Sequence, residues 1–246
     1  MPAALKRQSL VCELPLDVVD LWFTTLSECD FSLQALLSVD ELRRASRFRF
    51  DRDAANFVAR RGILRLILAT YTGVSPSQLI FSYNQFGKPA LDGRFCDTRF
   101  SVSHSGELAV YAFARRRDLG VDVEHLGQRP LEISRIAGSF FSERQVAALN
   151  DTPADRQEEV FLHLWTQLEA RGKARGIGIG QCNPSSNELS AFGGKCLSYR
   201  SLVPSPGYVV ALAVPGAAPL LPADIKVSHR PLHAVRSTWI ANNDAV

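Results

Sequence analysis

The stretch Leu119-Gly120-Val121-Asp122-Val123-Glu124 sets two carboxylates two residues apart inside an otherwise apolar run. Read as a strand, its side-chain period of two puts Asp122 and Glu124 on one face and Val121 and Val123 on the other. Carboxylates spaced about 6–7 Å along such a face can share a small hard cation bound at about 2.0–2.1 Å, above all one that keeps waters and substrate phosphates as further ligands. Taken alone, Asp-x-Glu is more often the solvated face of a half-exposed strand. A second constellation lies in residues 161–173, where Phe161, Leu164, Trp165 and Leu168 form an apolar helical stripe flanked by Glu169 and Lys173 at i and i+4. Such a pair is either a surface ion pair worth about 0.3–0.5 kcal/mol, or a carboxylate and an ammonium fixed one turn apart that bind metal and phosphate together. Gly172 inside that helix costs about 1 kcal/mol relative to alanine, a departure that often marks close approach of a backbone or ligand.

The elements that must position these groups follow from patterning. Residues 16–26 are β-branched and aromatic enough for a first strand. A helical pattern begins near Leu33, with Ser38 and Glu41 spaced as a capping box. Arg43, Arg44, Arg47, Arg49, Arg52, Arg60, Arg61 and Arg65 follow, interrupted by Phe48, Phe50 and Phe57. Apolar residues at helical spacing over 56–71 put Arg60, Arg61 and Arg65 on or beside an amphipathic helix, so the segment reads as an arginine-rich outer face. Nucleic-acid binding is the second reading, without a motif behind it.

Residues 79–83 read as a short strand, residues 84–89 as a loop, and residues 100–113 as a hairpin turning at Ser105-Gly106. Arg115 to Asp118 form a polar turn and the best boundary between two halves. Residues 130–150 are helical in pattern, with Ser142 and Gln145 as a capping pair, and the longest helix runs from about 156 to 174. Gly176-x-Gly178-x-Gly180 ends it. Short strands are expected over 189–214, and an irregular or frayed tail from about Pro215.

Composition narrows the class. The 246 residues, 46% hydrophobic and 22% charged, describe a globular protein. No apolar run approaches the roughly 18–20 residues that span a bilayer, and the first residues lack a leader pattern, so a soluble, unexported, cytoplasmic protein is expected. Five dispersed cysteines without Cys-x-x-Cys argue against a disulfide framework or a zinc site. Gly176-x-Gly178-x-Gly180 follows a helix rather than a strand and fails as a dinucleotide loop. Ser103-His104-Ser105 lacks the Gly-x-Ser-x-Gly elbow of a hydrolase.

The order of motifs resembles a family. Phe86-Gly87-Lys88-Pro89, then Ser101-Val102-Ser103-His104-Ser105, then Gly120 to Glu124, then Phe140-Phe141-Ser142, then Trp165-Thr166-x-x-Glu169-Ala170-x-x-Lys173-x-x-Gly176 are similar to the Sfp-type 4′-phosphopantetheinyl transferases over roughly residues 42–180. One position departs: Leu168 stands where the family usually has lysine. The resemblance implies an α+β fold of two similar α/β halves in a pseudo-two-fold arrangement with the active site in the cleft between them. The halves are expected at 1–117 and 118–229, with a C-terminal tail at 230–246.

It further implies transfer of the 4′-phosphopantetheine group of coenzyme A to a serine of an apo acyl or peptidyl carrier protein, releasing 3′,5′-ADP. A degenerate member that binds coenzyme A or carrier without efficient turnover is the alternative. Carried over by motif, Asp122, Glu124 and Glu169 would hold one Mg²⁺. Glu169 and Lys173 are the catalytic candidates, as base and as the cation at the leaving group. Arg44, Arg60, Lys88, Ser103, His104, Asp122 and Lys173 are the coenzyme A-binding candidates. The Phe140-Phe141 pair faces the carrier or belongs to the core. A monomer is expected, with neither nucleic acid nor membrane as partner.

Overall fold

The computed structural model describes residues 14–26, 31–127, 132–181, 197–202, 204–215 and 226–231. Helices and antiparallel sheets alternate unevenly along the chain, which places it in the α+β class. The chain forms two compact units, one built on Leu26–Ile80 and the other on Pro15–Thr25 with Phe81–Arg230.

In the first unit, α1 (Val39–Ala45) begins with the capping box expected from its sequence. The Glu41 N–H donates to Ser38 Oγ at 3.4 Å, and the Ser38 N–H donates to Glu41 Oε2 at 2.8 Å. Helix α2 (Asp51–Thr72) opens with Asp51 and Asp53 at its positive end and closes on Gly73, whose φ of 68° an L side chain would resist. The arginine-rich outer face expected over this helix is not what forms. Every residue from Arg61 to Ala69 is buried, and Arg65 is only 1% exposed.

The reason is Glu41, which meets Arg61 Nε at 3.0 Å and Arg65 Nε at 2.8 Å while still capping α1. Arg65 Nη1 also donates to the carbonyls of Pro76 and Leu79 at 2.6 and 3.1 Å. Two guanidinium groups are tolerated inside because a carboxylate and carbonyls satisfy them. Gly62 lets residue 33 approach: a Cβ there would lie 2.7 Å from Leu33 Cβ.

The second unit carries β1 (Val18–Thr25), β2 (Phe81–Tyr83), β3 (Pro89–Leu91), β4 (Thr98–Ser105), β5 (Leu108–Arg115) and β6 (Gly120–His125). Helices α3 (Ile133–Phe140), α4 (Glu143–Asn150) and α5 (Gln157–Arg175) follow, then β7 (Leu197–Leu202), β8 (Tyr208–Pro215) and β9 (Lys226–Pro231). One sheet has the order β4-β5-β1-β9, a second β6-β8-β7, and β2 pairs with β3 alone. Leu21, Val110, Val121, Val123, Val210 and Leu212 are among the side chains of a core shared by the first two sheets. Strand β5 is buried from Leu108 to Ala114, as its covered faces predict.

Further expectations are corrected, the first being that α2 with 22 residues, and not α5 with 19, is the longer helix. The helical stretch over 130–150 is two helices, because Phe141 is extended (φ −106°, ψ 154°) and Ser142 starts α4 with its own capping box on Gln145. Residues 130 and 131 lie outside the described part, as do 189–196 and 232–246. The tail expected to be irregular from Pro215 contains β9, which adds to β1 at the sheet edge. Among the described residues no helix is long and apolar enough to cross a membrane.

Candidate active site

Strands β4 and β6 are the edge strands of their sheets, and they lie beside each other. Edge N–H groups need partners. Three serines on alternate positions of β4 meet β6. Ser101 Oγ accepts the Val121 N–H at 3.0 Å, Ser103 Oγ donates to Asp122 Oδ1 at 2.8 Å, and Ser105 Oγ accepts the His125 N–H at 3.1 Å while donating to Glu124 Oε2 at 3.0 Å. Serine number and β6 number rise together, so the strands run parallel across this seam. The period of two predicted for β6 holds: Val121 and Val123 enter the core, and Asp122 and Glu124 share the other side.

Helix α5 lies across that other side because the residues between helix and sheet are small. Ala170 and Ala174, one turn apart, pack on Ala211 and Ala213 of β8. Gly120 admits the helix closest of all: a Cβ there would sit 2.0 Å from the Ala170 carbonyl oxygen and 2.4 Å from the Ala174 nitrogen. The helix therefore brings its polar residues down onto β6. Lys173 Nζ donates to Asp122 Oδ1 at 2.6 Å and to Ser103 Oγ at 2.9 Å, and lies 3.9 Å from Glu169 Oε2.

Burial, then the charge of Asp122, pushes the Glu169 carboxyl above the usual glutamate range; Lys173 opposes the rise and Glu124 adds to it. A carboxyl so placed exchanges a proton closer to neutral pH than an exposed glutamate does. Asp122 is 3% exposed, and its Oδ2 has no hydrogen-bond partner among the described residues.

The loop before β3 clips the end of α5. Asn84 Nδ2 donates to the Gly176 carbonyl at 2.7 Å, and Asn84 Oδ1 accepts the N–H groups of Phe86 and Lys88. Lys88 Nζ reaches the Leu119 carbonyl at 3.2 Å and the Ala174 carbonyl at 3.5 Å, at the negative end of the helix. Burial, offset by Asp118 and reinforced by Arg99, holds the Lys88 ammonium below the usual lysine range. Beside the clip open a cleft of about 230 Å³, with Phe86, Lys173 and Ile177 in its wall, and one of about 350 Å³ bordered by Asn84, Arg99 and Arg175.

The structure thus brings Ser103, Asp122, Glu169 and Lys173 together and sets Glu124 on the adjoining serine. It does not gather the carboxylates as a cage. Among the described residues no three His, Cys, Asp or Glu side chains are disposed to hold a metal ion. Lys173 lies on one Asp122 oxygen and Ser105 on one Glu124 oxygen.

His104 is exposed, at an alternate position from the serines. Arg44 and Arg60 belong to the first unit, where Arg44 lies 5.3 Å over the Phe57 ring. Leu168 is 7% exposed within the core cluster of Phe141 and Phe161, and Phe140 stacks edge-on to Trp165 at 5.7 Å.

Sequence reasoning missed Ser101, Ser105 and Gly120 as site-builders, along with the alanine set. The signals were present, as serine at every second position of β4 and as Ala-x-Ala in β8 facing Ala170 and Ala174 on α5.

Known proteins are similar to this chain in sequence. Residues 118–192 match the model of the 4'-phosphopantetheinyl transferase superfamily, and residues 20–116 match that of the 4'-phosphopantetheinyl transferase N-terminal region. The chain is 38% identical over 212 residues to 4'-phosphopantetheinyl transferase HetI of Nostoc sp., covering 81% of this chain and 89% of that protein. It is 33% identical over 147 residues to psf-1 of Bacillus pumilus, with 60% and 61% covered. Identity to Sfp of Bacillus subtilis is 27% over 202 residues, with 78% and 87% covered. With two family models matching in tandem and a relative 38% identical over most of both lengths, the chain belongs to the 4'-phosphopantetheinyl transferase superfamily.

Proposed function

We propose that the chain transfers the 4′-phosphopantetheine group of coenzyme A to a serine hydroxyl of an apo acyl or peptidyl carrier protein, releasing 3′,5′-ADP. The observation that carries the reading is Lys173 bridging Asp122 and Ser103 within one helical turn of Glu169. In this reading the carrier serine oxygen attacks the β-phosphorus, the bond to the 3′,5′-ADP oxygen breaks, and the serine proton passes to Glu169. Lys173 neutralises the departing ADP.

Asp122, Glu124 and Glu169 are proposed to hold Mg²⁺. The support is their hard oxygens, the Asp122 Oδ2 without a hydrogen-bond partner among the described residues, and the burial and neighbouring negative charge that raise the Glu169 carboxyl, a charge excess that a cation drawing the three side chains together would relieve. When bound, Mg²⁺ supplies charge to offset what develops on the phosphoryl oxygens. Lys88, Ser103 and His104, with Arg44 and Arg60, are proposed contacts of the coenzyme A phosphates and nucleotide; the planar fork of arginine suits phosphate. Arg44 and Arg60 lie outside the quoted motifs, and their support is the family resemblance of the surrounding segment alone.

Leu168 supports competence rather than degeneracy, because its place in the core gives the position a packing role that needs no lysine. Two halves related by a pseudo-two-fold are proposed at 1–117 and 118–229; family models that end at 116 and begin at 118 support that boundary, while the compact units of the structure divide elsewhere. The enzyme is proposed to be cytoplasmic and monomeric, acting on neither nucleic acid nor membrane. Burial of Arg61 and Arg65 removes two arginines from any nucleic-acid surface.

Incubation with a panel of apo carrier proteins, coenzyme A and Mg²⁺, followed by mass spectrometry, is expected to show the phosphopantetheine increment on at least one carrier. No increment on any of them overturns the reading.

A further inference from the structure

We infer that Ser105 is a positioning residue that fixes the Glu124 carboxylate for its cation. The inference rests on the proposed role of Glu124 as a ligand. A serine hydroxyl has one proton to donate and two lone pairs to accept with. The His125 backbone N–H, 3.1 Å from Ser105 Oγ, can only donate, so it takes a lone pair. The hydroxyl proton is thereby committed to Glu124 Oε2 at 3.0 Å.

Ser105 is itself held. It is buried, it is the last paired residue of β4, opposite Leu108, and Gly106 with φ of 54° turns the chain immediately after it. A glutamate has three side-chain torsions, and a donor anchored this firmly selects among them.

The neighbouring serines define the comparison. Ser103 does for Asp122 what Ser105 does for Glu124: Lys173 donates to its oxygen, and its proton goes to Asp122 Oδ1. Ser101 accepts the Val121 N–H in the same way that Ser105 accepts that of His125, and that partner is backbone rather than a carboxylate. A residue that only mends the strand edge should therefore behave like Ser101. A residue that aims a ligand should not.

The test is Mn²⁺ binding to the full chain with coenzyme A, followed by the EPR signal of free Mn²⁺ against a coenzyme A blank, alongside the Mg²⁺ concentration for half-maximal turnover. Ser105→Ala is expected to weaken Mn²⁺ binding about 10-fold and to raise the Mg²⁺ requirement in step. Ser105→Thr should restore both, and Ser101→Ala, which loses a backbone partner on the same strand but no carboxylate, should weaken Mn²⁺ binding clearly less than Ser105→Ala does. Ser105→Cys keeps the side-chain volume and removes the strong donor, so it gives the same comparison should the alanine variant not fold. Wild-type Mn²⁺ affinity in Ser105→Ala or Ser105→Cys, or equal weakening by Ser101→Ala, overturns the positioning role alone. Absence of Mn²⁺ binding by the unmodified chain overturns the metal reading, and this inference with it.

Discussion

Asp122 has one carboxylate oxygen committed to Lys173 and Ser103 and the other without a hydrogen-bond partner among the described residues. Loss of this group or of the neighbouring base should be felt in turnover before it is felt in the fold. Asp122→Ala and Glu169→Gln are each expected to remove nearly all transfer to carrier while leaving the far-UV circular dichroism intact; a wild-type rate in either refutes the assignment. Glu169 also makes a prediction about stability. Its carboxyl is raised from an ordinary value of 4.5, so the folded state holds that proton more tightly than the unfolded state does. Ionised Glu169 therefore weighs against folding, increasingly as pH climbs through 4.5 to the raised value and fully above it. In a chelating buffer Glu169→Gln should melt above the wild type at neutral pH, and the gap should close as pH falls below the ordinary glutamate range. Equal melting temperatures at neutral pH would count against this account. Asp122, Glu124, Glu169 and Lys173 were legible in the sequence because their strand and helix spacings put them on shared faces and the order of motifs singled them out from the bland reading such spacings usually carry. Ser105 and Gly120 were not, because serine and glycine have many uses and only the approach of β6 to β4 and α5 selects one.

Helix α5 can serve β6 only because nothing larger than hydrogen stands at Gly120. Gly120→Ala would drive a methyl into the Ala170 carbonyl, and since the neighbour is backbone it cannot turn aside. We expect a loss of about 3 kcal/mol in urea unfolding, together with a fall in turnover as Glu169 and Lys173 lift from Asp122. An alanine variant with unchanged stability and rate would show that the helix has room to spare. The sequence foretold the elements with local signals well: the capping boxes at Ser38 and Ser142, the strand period of β6, and the αL glycine that ends α5. It failed where the decision was tertiary. A single helical pattern over 130–150 could not reveal the extended Phe141, and β9 carries too little period to be seen without the edge of β1 that it joins. Gly120, not singled out in the sequence, is the strand residue that lets the helix approach.

Across the whole chain, the two units use charge in opposite ways. In the second, polar groups converge where chemistry is proposed. In the first, Glu41 is spent on structure, joining a helix cap to two buried arginines. Glu41→Ala strips the carboxylate from both guanidinium groups and removes half of a capping box, and should destabilise the protein by about 3–5 kcal/mol in chemical denaturation. A loss below about 1 kcal/mol, the worth of an exposed pair, would mean that water reaches those arginines. Charge signs alone could not have foretold this, since arginines at helical spacing look the same whether they face solvent or a carboxylate 24 residues earlier in the chain. Motif order, by contrast, carried the family from sequence alone, because it does not depend on knowing which residues are buried. The join between β4 and β6 has one more consequence, for inheritance. A backbone ladder survives nearly any replacement short of proline. A seam made by the side chains of Ser101, Ser103 and Ser105 lies within reach of single point mutations, each able to loosen one rung and leave the others, so lineages can retune the grip between these sheets stepwise without rebuilding either one.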